Sequence, residues 1–156
     1  ILIGAPGVGT SGATYVIYSS SLGSDTFDVT NAAVRFVGVQ DGPTSGAGAG
    51  AAVGDFDGDG MLDYAVGSPN YRNSDDERVG ATYVVYGNSN LGGDVDLSTA
   101  DIHFEHTASY SQFGEQFESY GDLDGDGADD LVFEMFNWKR FGTPRQEGRV
   151  QLVLGF

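Results

Sequence analysis

Gly54-Asp55-Phe56-Asp57-Gly58-Asp59-Gly60-Met61-Leu62-Asp63 has a second copy in Gly121-Asp122-Leu123-Asp124-Gly125-Asp126-Gly127-Ala128-Asp129-Asp130. Both read D-x-D-G-D-G-x-x-D, with carboxylates at loop positions 1, 3, 5 and 9 and glycine at position 6. Alternation along the chain brings three carboxylates to one side of a tight loop. The glycine permits the sharp backbone reversal that other residues resist. The position-7 carbonyls, from Met61 and Ala128, can face the same point. This is an oxygen cage for a hard cation, and Ca2+ suits it because it takes roughly 6–8 oxygens in flexible geometry. The ligand candidates are Asp55, Asp57, Asp59, Met61 and Asp63 in one loop, and Asp122, Asp124, Asp126, Ala128 and Asp130 in the other. Without a cation the carboxylates repel one another. The alternative is two acidic surface turns that bind nothing; the complete spacing in both copies weighs against it.

The loop is not an EF-hand, which needs a bidentate Glu at position 12. Val66 and Phe133 stand there instead. Each loop leads into a short apolar run, Tyr64-Ala65-Val66 or Leu131-Val132-Phe133. Runs of that length bounded by turn residues read as strands. Each loop therefore joins two strands, and the ninth-position Asp starts the second.

The pattern around the loops also repeats. Gly12-Ala13-Thr14-Tyr15-Val16-Ile17-Tyr18 returns as Gly80-Ala81-Thr82-Tyr83-Val84-Val85-Tyr86, and more loosely at Gly148–Gly155. Ile3-Gly4-Ala5-Pro6 matches Val66-Gly67-Ser68-Pro69, and Phe36 matches Phe104. Each unit holds four strand candidates: one before the acidic loop, one after it, the Thr-Tyr-Val run, and the Phe36 or Phe104 run. Residues 1–40 carry the last three of a first unit. Residues 41–110 carry a complete unit with loop 55–63. Residues 111–156 carry the first three of another, with loop 122–130. The second and third strands are apolar on successive residues, which predicts cover on both faces. Four-stranded antiparallel sheets stacked face to face around an axis provide that cover, as in a β-propeller. The expected fold is all-β, a propeller segment of about two and a half repeats. Such a slice leaves apolar faces and open edges at its ends. Flanking blades of a longer chain, or further copies of this one, are expected to cover them, with Ile1–Ala5 and Gln151–Leu154 as buried strands.

Composition narrows the function classes. The 156 residues carry a formal charge of −16 and no cysteine. Two Ca2+ ions would offset four of these charges and leave the chain strongly acidic. That disfavours nucleic acid and anionic membranes as partners. No disulfide or thiol chemistry is available. No apolar run approaches the roughly 18 residues of a membrane span.

These residues resemble the FG-GAP repeat, the unit of the integrin α-subunit β-propeller and of many bacterial secreted and surface proteins. The resemblance rests on Phe113-Gly114 (the FG), the two D-x-D-G-D-G-x-x-D loops, and Gly4-Ala5-Pro6 with Gly67-Ser68-Pro69 (the GAP). The chain departs from it at Gly46-Ala47, where an FG is expected, and at Glu134-Met135-Phe136, where a GAP belongs. The resemblance implies that the four Asp side chains and the position-7 carbonyl of each loop are Ca2+ ligands. It also implies an extracellular or cell-surface module for adhesion or protein interaction; these residues show no catalytic constellation, so no enzyme is expected.

Other candidates are weaker. Trp138, Lys139, Arg140, Phe141 and Arg145 cluster in the connection after the second strand of the last unit. Strand direction puts that connection on the face opposite the metal loops. An exposed aromatic and basic loop in an acidic chain is a candidate contact for a protein or glycan. The plainer alternative is that Trp138 and Phe141 pack over a blade edge while the cations offset nearby carboxylates. His103 and His106 lack a zinc-like spacing and read as edge-strand residues exposed to solvent. Glu134 reads as outward-facing or bonded to a neighbouring blade. No Ser-His-Asp set, phosphate-cradling loop or nucleophile elbow is visible. The expected function is a Ca2+-binding scaffold. A glycan-binding propeller using Trp138, or the non-catalytic propeller of a secreted enzyme, are the alternatives.

Overall fold

A computed structural model describes residues 1–21, 27–39, 49–107, 111–135 and 148–155. Among them are eleven strands and three 3-10 turns. In chain order the strands are β1 (Leu2–Ala5), β2 (Ala13–Val16), β3 (Val34–Val37), β4 (Ala51–Gly54), β5 (Asp63–Ser68), β6 (Ala81–Val85), β7 (Gly93–Asp96), β8 (Ile102–Glu105), β9 (Gln116–Ser119), β10 (Leu131–Met135) and β11 (Arg149–Val153). They form three sheets, ordered β1-β2-β3-β7, β4-β5-β6-β8 and β9-β10-β11. Each acidic loop joins the first two strands of its unit as an antiparallel pair, and Gly54 faces Asp63 across β4 and β5. The protein is all-β, with propeller-like blades.

Face-to-face stacking follows from the runs that lack alternation. Every residue of β2 and of β6 is buried. β-branched and aromatic residues suit such a doubly covered strand. Val16, Val34 and Phe36 of the first sheet pack on Tyr64, Val66 and Tyr83 of the second. The second sheet's other face sets Ala65 and Val84 against Phe117, Leu131 and Phe133 of the third. Phe133 stacks on Phe113 with ring centroids 4.6 Å apart.

Contact between the second and third sheets depends on missing side chains. The Phe113-Gly114 turn presses onto the middle sheet, where Gly80 bridges Phe113 and the Ser111 hydroxyl donates to the Val79 carbonyl. A Cβ on Gly67 would fall 1.8 Å from the Gly114 carbonyl oxygen, well inside contact distance with rigid backbone. Gly67→Ala is therefore expected to push these sheets apart. It should cost about 3 kcal/mol or more, lowering Tm by roughly 6–12 °C for a domain of this size. Thermal unfolding by circular dichroism measures it, and a shift under 2 °C would contradict the close approach.

The structure departs from the sequence expectations in one place. Strands were expected to be antiparallel throughout each blade, yet β7 pairs parallel with β3. β7 belongs to the connection that follows β6. It reaches back to the previous sheet, where Gly93 N–H donates to the Ala33 carbonyl at 2.9 Å and Arg35 pairs with Asp94. The outer edge of the first sheet is thus covered by chain from the next unit. The end strands show the open faces expected of such a slice. Ile1–Ala5 and Gln151–Leu154 lie in or beside β1 and β11, but their outward side chains are not buried: Ile1 is 66% exposed, Ile3 39% and Leu152 48%. Among the described residues no other sheet lies over those two faces.

Candidate metal centres

Both loops are bound into the same hydrogen-bond pattern. Gly60 and Gly127, at position 6, have φ of 86° and 101°, the left-handed region in which glycine carries no steric penalty. The reversal points the Gly60 N–H at Asp55 Oδ2 and the Gly127 N–H at Asp122 Oδ2, each at 2.9 Å. Asp57 Oδ1 accepts from Asp59 N–H, and Asp124 Oδ1 from Asp126 N–H, each at 3.1 Å. These local bonds hold the first and third carboxylates over the loop.

The ninth-position carboxylate is the buried anchor of each loop. Asp63 and Asp130 both have no solvent exposure. Asp63 accepts from Phe56 N–H and Gly87 N–H, each at 2.7 Å. Asp130 accepts from Leu123 N–H at 2.7 Å and Gly155 N–H at 2.6 Å. Each anchor therefore ties its loop to the glycine just beyond the third strand of its sheet. Gly87 and Gly155 must be glycine for steric reasons. A Cβ at Gly87 would sit 2.2 Å from the Leu62 carbonyl oxygen, and one at Gly155 would sit 2.4 Å from Ala128 Cβ. Both recur in the sequence repeat after the Thr-Tyr-Val run, a signal that could have marked them as part of the site.

Oxygens of Asp55, Asp57 and Asp63 lie within 4.8 Å of one another, and so do oxygens of Asp122, Asp124 and Asp130. Like charges at that spacing near a protein surface repel by on the order of 3 kcal/mol per pair. Burial pushes the Asp63 carboxyl above the usual carboxylate range, and the charges of Asp57 and Asp59 add to the rise. The bonds from Gly87 and Phe56 oppose it. Asp55 Oδ1 is buried and accepts no hydrogen bond. A buried carboxylate oxygen without a donor is costly, and a cation in the cage would satisfy it. The donor set is all oxygen, which fits a hard cation such as Ca2+.

The two position-5 carboxylates are not among the oxygens that converge. Asp59 Oδ1 accepts from Met61 N–H at 2.7 Å, and Asp126 Oδ1 from Ala128 N–H at 3.0 Å. The arrangement brings positions 1, 3 and 9 together and turns position 5 onto its own backbone.

The two loops also touch each other. Asp129 N–H donates to the Asp55 carbonyl at 2.7 Å, and Asp55 N–H donates to Asp129 Oδ2 at 3.0 Å. This reciprocal pair crosses from the third sheet to the second. Asp129 occupies a variable position of the pattern, where the first loop has Leu62, and sequence reading passed over it.

Trp138, Lys139, Arg140, Phe141 and Arg145 lie outside the described residues, as do Gly46 and Ala47. Glu134 is exposed on β10, facing outward as expected. His103 is accessible at its edge, but its ring stacks on Tyr83 with centroids 4.7 Å apart and meets Tyr71 edge-on.

The chain is similar to integrin alpha-IIb of Mus musculus. Identity is 33% over 108 residues, covering 67% of this chain and 10% of the integrin. It is also similar to phosphatidylinositol-glycan-specific phospholipase D, 31% identical to the Mus musculus protein and 32% to that of Rattus norvegicus, over 139 residues in each case. Those alignments cover 85% of this chain and 16% of each phospholipase. The chain thus spans a small fraction of the length of these curated relatives. No protein-family model matches it. No helix among the described residues is long and apolar enough to cross a membrane.

Proposed function

We propose that the chain is part of an FG-GAP-type β-propeller stabilised by two Ca2+ ions, placed outside the cell and used as a scaffold for adhesion or protein interaction. The observation that carries this reading is the pair of matched acidic cages, each closing the same end of its sheet through a buried ninth-position Asp. Ca2+ bound there neutralises the carboxylates and ties β4 to β5 and β9 to β10. The proposed ligands remain Asp55, Asp57, Asp59, Asp63 and the Met61 carbonyl, with Asp122, Asp124, Asp126, Asp130 and the Ala128 carbonyl. Asp59 and Asp126 would join them by exchanging their backbone donors for the ion. Extracellular modules of this kind bind Ca2+ with Kd of roughly 10⁻⁴ to 10⁻³ M, so extracellular calcium is the level that fills them.

Isothermal titration calorimetry is expected to show two sites in the native chain and one in each of Asp57→Ala and Asp124→Ala. Two sites persisting in both variants would place the calcium elsewhere.

A second reading draws support from the phospholipase D alignments over 85% of this chain. In that reading the blades of this chain form the non-catalytic propeller of a secreted enzyme. In either reading these residues carry no catalytic role. Sequence adjoining them in the full-length precursor separates the two. The glycan-binding alternative depends on Trp138 and gains nothing from the described residues.

A further inference from the structure

Each candidate cage is built within one sheet, but the first ligand of the 55–63 loop is held from the neighbouring sheet. The Asp55 backbone makes two hydrogen bonds to Asp129, one through its N–H and one through its carbonyl. Asp129 immediately precedes Asp130, the buried anchor of the other loop. The loops also abut at their tips, where a Cβ on Gly58 would lie 3.3 Å from the Gly127 carbonyl oxygen. Asp55 Oδ1, buried and without a donor, belongs to the residue so clamped.

We propose that Asp129 is a positioning residue that couples the two calcium sites, so that filling the 122–130 loop raises the affinity of the 55–63 loop. The inference rests on the calcium reading above. An ion held by Asp122, Asp124 and Asp130 restrains the backbone at Asp130 and hence at Asp129. Restrained, Asp129 keeps the Asp55 main chain where its side chain meets Asp57 and Asp63. With the second loop empty, Asp129 is free to move and the first cage must be ordered at the expense of binding. Linkage makes the effect reciprocal: the first ion raises the affinity for the second by the same factor. Direct repulsion between the two ions opposes the coupling, but it is screened at physiological salt, where the Debye length is about 8 Å. The hydrogen-bonded path is not screened in this way.

The loops supply their own site-resolved reporters. Gly60 N–H bonds to Asp55 in the first cage and Gly127 N–H to Asp122 in the second. Their amide resonances are followed in 15N–1H correlation spectra while Ca2+ is titrated into the native chain and four variants at about 0.15 M salt. Asp124→Ala, which disables the second cage, is expected to move the Gly60 midpoint to at least about five-fold higher Ca2+. Asp129→Ala removes the side-chain acceptor but keeps the N–H bond to the Asp55 carbonyl, so it should weaken the Gly60 midpoint by less than Asp124→Ala does, and adding Asp124→Ala to it should shift that midpoint by a smaller factor than in the native chain. Asp129→Asn keeps a carbonyl acceptor for Asp55 N–H and should behave as the native chain. A residue with a merely structural role would lower thermal stability without changing how one site responds to the other. Gly60 and Gly127 midpoints that both titrate, with Gly60 indifferent to Asp124→Ala, overturn the coupling and leave the calcium reading standing. Gly60 and Gly127 resonances that both ignore Ca2+ overturn the calcium reading and the coupling with it.

Discussion

Asp63→Ala is expected to destabilise the protein by about 2–6 kcal/mol even in the absence of calcium. The substitution strips Phe56 N–H and Gly87 N–H of their acceptor in a fully buried setting, and each buried donor left unpaired costs about 1–3 kcal/mol. For a domain of this size the Tm should fall by roughly 10 °C. Asp57→Ala offers the contrast. Its carboxylate is exposed and accepts one local bond, from Asp59 N–H. In EDTA its removal relieves repulsion with Asp55 and Asp63, and Tm should hold or rise. Melting curves of both variants in EDTA give the comparison. Equal losses would show that Asp63 is no more an anchor than its neighbours.

Chelation of calcium from the native chain should produce a comparable loss. Binding to the folded state alone adds RT ln(1 + [L]/Kd), about 2.7 kcal/mol per site at a hundred-fold excess over Kd. With Kd between roughly 10⁻⁴ and 10⁻³ M, about 10 mM Ca2+ gives on the order of 1.4–2.7 kcal/mol per site. Two filled sites then contribute about 3–5 kcal/mol, and EDTA should lower Tm by roughly 6–20 °C. The shift should fall by more than half in Asp124→Ala, which removes one site and weakens the other. Melting temperatures that coincide with and without EDTA would remove the structural role of the ion.

The sequence was most legible where the chemistry is local. Both acidic loops, the strands on either side and the doubly buried Ala81–Val85 run follow from spacing and hydrophobic pattern, and the structure contains them. β7 was not legible. Gly93-Asp94-Val95-Asp96 is rich in residues that strands disfavour, and its pairing with β3 is a tertiary contact with no local signature. The same holds for Asp129, which sits at a variable position and acts across a sheet boundary. Position 5 shows the limit of a motif. Spacing brings Asp59 and Asp126 to the loop, yet neither joins the converging oxygens; both accept the backbone N–H two residues on, as the position-3 carboxylates also do. Gly87 and Gly155 were visible as repeats, but their contact with the loops depends on how each sheet folds over its own turn.

β7 has a consequence for how such a chain can be cut, spliced or duplicated. A gene segment for residues 41–110 looks like an interchangeable part, since it carries β4, β5, β6 and β8. It also carries the strand that seals its predecessor. Excising that segment would leave β3 with a bare edge, and grafting it elsewhere would add a strand needing a host edge beside it. A transferable module is therefore offset from the repeat in the primary structure, with one breakpoint between Asp96 and Ile102, after β7 and before β8. Insertions in this architecture are expected to be tolerated at the exposed Ser98 and Thr99, past the buried Leu97 and before the last strand of the next sheet begins.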